Sequence, residues 1–152
     1  MRVLILCTHN SARSQMAEGL LRHLGGKDFT VFSAGTEATR VNPLAIRVMD
    51  EIGIDITGQY SKSLTQFLGQ PLDVVITVCD QANESCPLFP GAPTRIHWSF
   101  PDPSAVQGAE EERIAAFRRV RMALTDHLQR FIDEQRATSI ATVGVTTESA
   151  SG

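Results

Sequence analysis

The stretch VLILCTHNSARS, residues 3–14, joins an apolar run to a polar loop and decides the fold of the first part of the chain. Its apolar half predicts a short buried strand, and the residues from Ser14 onward predict a helix with apolar side chains at helical spacing. Cys7 therefore lies on a strand-to-helix loop. Successive amide N–H groups of such a loop can point into one concavity, and the first helical turn adds unpaired donors and the positive end of its dipole. The stretch thus predicts an oxyanion site beside a cysteine.

The residue types on this loop are those of a nucleophilic site. Arg13, six positions after Cys7, carries a planar guanidinium that can hold two oxygens of the anion. The field of the loop favours the thiolate form of Cys7, and the Ser14 hydroxyl can donate a hydrogen bond to the sulfur. Taken alone, the cysteine could be a small buried hydrophobe and the arginine a solvated residue, but the spaced set favours catalysis. We predict that the anion is bound by Thr8, His9, Asn10, Ser11, Ala12 and Arg13.

Length and composition indicate one soluble globular domain. The chain has 152 residues, of which 42% are hydrophobic and 20% charged, and its formal net charge is −3. This size suits one hydrophobic core rather than two. The negative charge argues against a nucleic-acid partner, and we interpret Arg118, Arg119 and Arg121 as a solvated helix face.

The cysteines and the first residues do not indicate export. The first apolar run is four residues long, which is too short for a signal peptide or a membrane span. Three cysteines are an odd number and make no disulfide framework, so catalytic thiols in a reducing compartment fit better. We expect a cytoplasmic protein without a membrane contact and, by default, a monomer.

Strand and helix patterns alternate along the rest of the chain. Three further strands are predicted at 29–33, 73–78 and 95–98, and three further helices at 43–52, 61–68 and 109–134. In the helix that begins at Pro43, the apolar stripe consists of Leu44, Val48 and Ile52. This alternation predicts an α/β fold, with a four-stranded parallel sheet covered by helices on both faces. We expect residues 1–136 to form a single domain and residues 137–152 a flexible tail.

Two more cysteines follow a predicted strand. Because chemistry collects at the carboxyl ends of parallel strands, we expect Cys79 to approach Cys7. Once these two form a disulfide, Cys86 can attack Cys79, since a coiled or helical turn between them is expected to bring their Cα atoms within disulfide reach. The alternatives are two unrelated cysteines or a zinc site made with a histidine. The sequence has no C-x2-4-C pair, so we predict no metal site.

Asp102 is a candidate acid because prolines on both sides restrict the backbone around it. A carboxyl held near the anion can protonate a departing oxygen if its surroundings raise its pKa. The alternative is an aspartate that serves as a turn or helix cap.

Three separated segments together resemble a known family. Residues 7–15, CTHNSARSQ, resemble the anion loop of the low-molecular-weight protein tyrosine phosphatases and of the arsenate reductases that share their fold. Residues 77–87 and 97–103 look specifically like the thioredoxin-coupled arsenate reductases. The resemblance covers about residues 2–134 and agrees in order and spacing.

The resemblance implies the reduction of arsenate to arsenite for arsenic detoxification. It implies that Cys7 attacks arsenate held by the loop amides and Arg13, while Asp102 protonates the leaving oxygen. Cys79 then releases arsenite by forming a disulfide with Cys7, and Cys86 resolves it. An external reductant then reduces the resulting disulfide: the cysteine pair favours thioredoxin, and mycothiol and glutaredoxin systems are the alternatives. No organic cofactor is required because the electrons come from thiols.

One departure from the family concerns a bound potassium ion. Asn10, Glu18 and Ser33 match residues that support this ion in some relatives, and the fourth position, an Asp there, is Lys62 here. Its ammonium group can occupy the place of the cation, so we predict that potassium does not activate this enzyme.

Two other functions compete with this interpretation. A phosphatase of the same fold would hydrolyse a phosphotyrosine ester at Cys7 and leave the other cysteines as spectators, but Ser104 stands where such phosphatases carry a tyrosine. A non-catalytic redox or oxyanion sensor would form disulfides without turnover, and no partner-binding segment supports it.

Overall fold

The structure is a computed structural model that describes residues 1–91 and 93–151, and for residues 139–151 the backbone alone. Four parallel strands form one sheet in the order β2-β1-β3-β4. They are β1 (Arg2–Cys7), β2 (Thr30–Gly35), β3 (Val74–Thr77) and β4 (Thr94–His97). The predicted four-stranded parallel α/β fold is confirmed. Each of the residues from Val3 to Leu6 has no exposed surface, so the central strand β1 is buried on both faces.

The helices are α1 (Arg13–Gly25), α2 (Pro43–Asp50), α3 (Asp80–Glu84) and α4 (Glu110–Ser151). Three short 3₁₀ turns lie at Gly26–Asp28, Leu64–Phe67 and Pro103–Ala105. Helices α1, α2 and α4 contact one another, and one hydrophobic cluster runs from β1 through α1 to α4. Helix α1 ends at a glycine pair, Gly25 and Gly26, where Gly26 adopts φ +59°, a conformation that glycine enters without strain.

The predicted apolar stripe of the second helix is wrong at its end. Helix α2 ends at Asp50, so Ile52 lies beyond it and is 43% exposed. The buried face consists instead of Ala45, Val48 and Met49. The prediction extended the four-residue spacing of apolar residues to Ile52, beyond the end of the helix. Side chains beyond that end no longer lie on the same helix face.

Two other predicted helices differ in extent. The predicted helix over residues 61–68 is a single 3₁₀ turn, Leu64–Phe67, in which the Ser63 side chain accepts a hydrogen bond from the Thr65 N–H. The last helix was predicted to end near residue 134, but α4 continues to Ser151. Its predicted apolar stripe is buried: Ile114, Phe117, Val120, Leu124, Leu128 and Phe131. The predicted flexibility of residues 137–152 stays a prediction, because the side chains of 139–151 and all of Gly152 lie outside the described residues.

All four strands end at the same edge of the sheet. Cys7 pairs with Gly35 of β2, while Thr77 of β3 pairs with Leu6 of β1 and with His97 of β4. The segments that follow these strands therefore meet at this edge, as the rule for parallel sheets predicts. Within the described part of the chain, no helix is long and apolar enough to cross a membrane.

Candidate active site

The anion loop, residues 7–13, is held in place through its carbonyl oxygens. Four of these oxygens accept N–H groups from the segment that follows β2: Cys7 from Thr36 at 3.3 Å, Thr8 from Glu37 at 2.8 Å, His9 from Thr39 at 3.1 Å and Ser11 from Asn42 at 2.9 Å. The Ser61 hydroxyl also donates to the His9 carbonyl, at 2.9 Å. Because the C=O and N–H of a trans peptide point in opposite directions, bonds that hold the carbonyls outward turn N–H groups toward the cavity. The loop thus has the backbone arrangement that an oxyanion requires.

Asn10 fixes the centre of this loop. Its φ of +49° is in the left-handed region, which asparagine tolerates better than most residues. Its side-chain amide donates to the hydroxyls of Ser14 (2.8 Å) and Ser33 (2.9 Å), and its Oδ1 accepts the Lys62 N–H at 3.0 Å. Asn10 is fully buried. The sequence analysis gave Asn10 as an anion-loop residue and as a match to a potassium-supporting residue of some relatives. In the structure its side chain joins the loop to α1, β2 and the segment before the Leu64–Phe67 turn.

Gly35 is a site residue that the sequence prediction did not identify. A Cβ at this position would lie 2.6 Å from the Thr8 carbonyl oxygen and 2.9 Å from the Asn10 nitrogen. The end of β2 can therefore lie against the anion loop because residue 35 has no side chain. The sequence shows a glycine at the end of the second strand. Its importance can be recognised only once the strands are paired, because Gly35 then lies opposite Cys7.

Arg13 lies between the anion loop and the segment before α4. One terminal nitrogen donates to the Phe100 carbonyl at 3.0 Å, and the other lies 3.9 Å from Asp102 Oδ2. The side chain is only 13% exposed, so its charge is weakly screened by water. A cavity of about 120 Å³ opens beside it, lined by Cys7, His9, Ser11, Ala12, Arg13, Thr39, Asp102 and Ser104.

Asp102 is the turn cap that the sequence offered as one of two alternatives. Its Oδ1 accepts the Ser104 N–H at 2.9 Å and the Ser104 hydroxyl at 2.6 Å, which caps the Pro103–Ala105 turn. Its Oδ2 lines the cavity on the side of Arg13. The cap therefore orients the carboxyl, and its function as an acid stays a prediction.

Cys7 lines this cavity, and the Cys79 sulfur lies beside the anion loop, 3.2 Å from the Thr8 hydroxyl. All three cysteines are free thiols. The largest effect on the pKa of Cys7 comes from Cys79, and the largest effect on the pKa of Cys79 comes from Cys7. Interaction with Cys79 and burial raise the pKa of Cys7. Hydrogen bonding from Cys7, from the Thr8 hydroxyl 3.2 Å away and from the Ala82 N–H lowers the pKa of Cys79 to about 5, against the opposing effect of burial. The pair loses its first proton easily and its second with difficulty.

The sequence analysis expected the thiolate on Cys7, whereas the pKa directions of the two free thiols favour loss of the first proton from Cys79. The Thr8 hydroxyl and the first turn of α3 stabilise negative charge on Cys79 instead. Arg13 lowers the pKa of Cys7, but not enough to offset Cys79 and burial. Ser14 was expected to donate to the Cys7 sulfur. Its hydroxyl accepts the Asn10 amide at 2.8 Å, and among the described residues no hydrogen bond joins it to that sulfur.

Cys86 is separated from Cys79 by the helix α3. A coiled or helical turn was expected here, but a wound helix does not bring the two Cα atoms within disulfide reach. The five residues of α3 rise by about 7.5 Å along the helix axis, and two cysteines whose Cα atoms are more than about 7 Å apart cannot be bridged without backbone movement. Burial raises the pKa of the half-buried Cys86 thiol. A Cys79–Cys86 disulfide therefore requires α3 to unwind.

Lys62 lies beside Glu18, one of the residues that the family resemblance associates with a bound potassium ion. Its ammonium group is 3.6 Å from Glu18 Oε1 and donates to the Tyr60 carbonyl at 3.1 Å. The same Glu18 oxygen accepts the Ser33 hydroxyl at 2.6 Å. Both charged side chains are more than nine-tenths buried, so each compensates the other in an environment that penalises a lone charge.

Histidines and acidic residues near the site are dispersed. His9 lies at the mouth of the cavity, 3.7 Å from Glu37, and is more than half exposed. Across residues 1–91 and 93–138, no group of three or more His, Cys, Asp or Glu side chains is arranged to hold a metal ion.

The fold and this cysteine-arginine loop define the class of protein. The family model for low molecular weight phosphotyrosine protein phosphatases matches residues 2–141, and the chain belongs to this family. Within it, an arsenate reductase of Halalkalibacterium halodurans is 45% identical over 131 residues, which are 86% of this chain and 94% of that protein. A solved arsenate reductase in the oxidized state is 34% identical with a TM-score of 0.76, and the match covers 88% of this chain and 97% of that one. A thioredoxin-dependent arsenate reductase of Corynebacterium glutamicum is 30% identical with a TM-score of 0.61, over 84% of this chain and 61% of the other.

Proposed function

We propose that this chain is an arsenate reductase in which three cysteines pass two electrons to the substrate. The observation that carries this proposal is a second thiol, Cys79, whose sulfur lies 3.2 Å from the Thr8 hydroxyl of the anion loop and is hydrogen-bonded with Cys7. The arsenate reductases with which the chain is 40–45% identical support the same substrate.

In the first step, arsenate binds to the loop amides and Arg13, and the Cys7 sulfur attacks arsenic. One arsenate oxygen leaves as water, which takes up the Cys7 proton and a proton from Asp102. The product is a Cys7–arsenic(V) adduct. Arg13 supports this step because its charge is nearly buried beside the cavity, where it stabilises the developing negative charge strongly.

In the second step, the Cys79 thiolate attacks the Cys7 sulfur. The sulfur–arsenic bond breaks and its electron pair stays on arsenic, so arsenic(V) becomes arsenite and the two sulfurs form a disulfide. The lowered pKa of Cys79, about 5, supplies the thiolate at neutral pH.

In the third step, Cys86 attacks Cys79 and releases Cys7 as a thiolate, which transfers the disulfide to Cys79 and Cys86. The unwinding of α3 that this step requires exposes the new disulfide to an external dithiol. We assign this role to thioredoxin, supported by the thioredoxin-dependent relative, and we place the reaction in the cytoplasm, where thioredoxin keeps thiols reduced. The thiols supply both electrons, so no organic cofactor or metal takes part.

Ester hydrolysis is the second candidate, because the family is named for it. A phosphatase needs the anion loop, Cys7 and Asp102, but gives no role to the lowered pKa of Cys79 or to the contact between the two thiols. We therefore favour reduction.

The test is turnover of arsenate with thioredoxin, thioredoxin reductase and NADPH, in the parent and in the variants Cys7→Ser, Cys79→Ser and Cys86→Ser. We expect NADPH consumption in the parent and its collapse in each variant. Hydrolysis of a phosphotyrosine ester that is lost with Cys7→Ser alone, without arsenate turnover in the parent, would contradict the proposal.

A further inference from the structure

The N-terminal end of α3 is held by a histidine from the neighbouring edge strand. His97 Nδ1 lies 2.7 Å from the Thr77 hydroxyl at the end of β3, and His97 Nε2 lies 2.9 Å from Asp80 Oδ1 at the first position of α3. We call these three side chains the α3 clasp. Both ring nitrogens are bonded, so the imidazole has a defined orientation.

The clasp also fits the electrostatics of the helix. Hydrogen bonding from His97, and from Ser99, lowers the pKa of Asp80. The carboxylate therefore stays charged at the end of α3 where backbone N–H groups lack partners and favour negative charge.

The hydrogen bonds that Gln81 and Asn83 of α3 accept are long: the Thr8 hydroxyl lies 3.4 Å from Gln81 Oε1, and the Thr77 hydroxyl lies 3.4 Å from Asn83 Oδ1. The helix has five residues, of which one, Ala82, is buried. Its hydrogen bonds include those from the Asn83 N–H to the Cys79 carbonyl at 3.2 Å and from the Ser85 N–H to the Gln81 carbonyl at 3.1 Å. An isolated helix of this length is unstable in water, so its stability depends on contacts with the rest of the molecule.

We propose that His97 is a positioning residue that keeps α3 wound, holding Cys79 against Cys7 until disulfide exchange with Cys86 unwinds the helix. This role rests on the proposed three-cysteine mechanism. The clasp has opposite effects on two successive steps. It favours the attack of Cys79 on Cys7, because the wound helix supplies the Ala82 N–H to the Cys79 sulfur. It opposes the attack of Cys86 on Cys79, because that bond cannot form while α3 is wound.

The test measures the Cys79–Cys86 couple directly, in a Cys7→Ser background that leaves two thiols. The variants are His97→Val, Asp80→Ala and the two combined, each equilibrated with mixtures of reduced and oxidised dithiothreitol. Loss of the clasp destabilises the reduced, helical form, so we expect each single change to raise the equilibrium constant for disulfide formation about threefold, as for a partly exposed ion pair. In the combined variant, the increase in the equilibrium constant should be smaller than the product of the two single increases, because both changes remove the same His97–Asp80 contact.

Amide hydrogen exchange of α3 in the reduced protein is the second measurement, and it needs neither arsenate nor a disulfide. We expect the Asn83 and Ser85 amides to exchange faster in the His97→Val and Asp80→Ala variants. The matched control is Asp126→Ala, which removes a carboxylate of similar exposure from an ion pair on α4, and which should leave both measurements unchanged.

Two results would overturn the role of His97. One is unchanged amide exchange in α3 of the two single variants, and the other is an effect of the combined variant that equals the product of the two single effects. A parent that forms no Cys79–Cys86 disulfide would contradict the three-cysteine mechanism instead, while the exchange measurement would still decide whether the clasp holds the helix.

Discussion

The anion loop and α3 lie at the same edge of the sheet, yet they are held in different ways. The loop is bonded through its backbone carbonyls to the segment after β2, and the buried Asn10 side chain joins it to three further parts of the molecule. Helix α3 buries one residue and depends on exposed or half-buried side chains at its first turn. The comparison indicates two different requirements. Attack on a tetrahedral anion needs fixed geometry, whereas transfer of a disulfide across the five residues of α3 needs a segment that can unwind.

The largest expected effect comes from disturbing the loop through Gly35→Ala. The new Cβ would lie 2.6 Å from the Thr8 carbonyl oxygen, so the loop must shift. A misplacement of about 1 Å costs about 100-fold in rate. We expect kcat/KM for arsenate to fall by about this factor. Gly58→Ala is the matched control, because a Cβ there meets no atom within 4 Å. Equal activity of the two variants would show that the loop tolerates movement.

A smaller and pH-dependent effect is expected from Thr8→Val, which removes the hydroxyl 3.2 Å from the Cys79 sulfur. Losing a hydrogen bond to a charged group should raise the pKa of Cys79 from about 5 to about 6–7. Since the thiolate attacks, and since a raised pKa removes thiolate at low pH, arsenite release should slow several-fold at pH 6 and little at pH 8. Rapid-quench rates in the Cys86→Ser background across this range check the shift, with Thr65→Val as control. An unchanged pH profile would remove Thr8 from the activation of Cys79.

The smallest effect concerns potassium. The Lys62 ammonium beside Glu18 supplies the positive charge that a cation would otherwise provide, so replacing sodium chloride by potassium chloride should change neither the melting temperature nor kcat/KM. Lys62→Met sharpens the test, because it leaves the buried Glu18 carboxylate with Arg22 as its remaining charged partner. This variant should melt lower and recover part of the loss in potassium. A large potassium-specific gain in the parent would contradict the role of Lys62.

The same difference between the two regions explains how much the sequence could predict. Alternating apolar runs were enough for the four-stranded sheet, and the anion loop was predictable because Cys7 and Arg13 are close along the chain. Asn10, Gly35 and His97 were not recognised as positioning residues, because their roles depend on strand pairing and on contacts between distant segments. The sequence also left the state of the Cys79–Cys86 segment open, since it cannot show that residues 80–84 are wound into a helix.

The most direct test of the transfer from loop to helix is a single turnover of the Cys86→Ser variant. The reduced variant is mixed with excess arsenate, quenched in acid with a thiol-blocking reagent, and analysed by peptide mass spectrometry together with the arsenite released. We expect one arsenite per chain and a Cys7–Cys79 disulfide formed at the same rate, because the third step is blocked and the first two are intact. Arsenite release with Cys79 still a free thiol, or no arsenite at all, would contradict the proposed attack of Cys79 on Cys7.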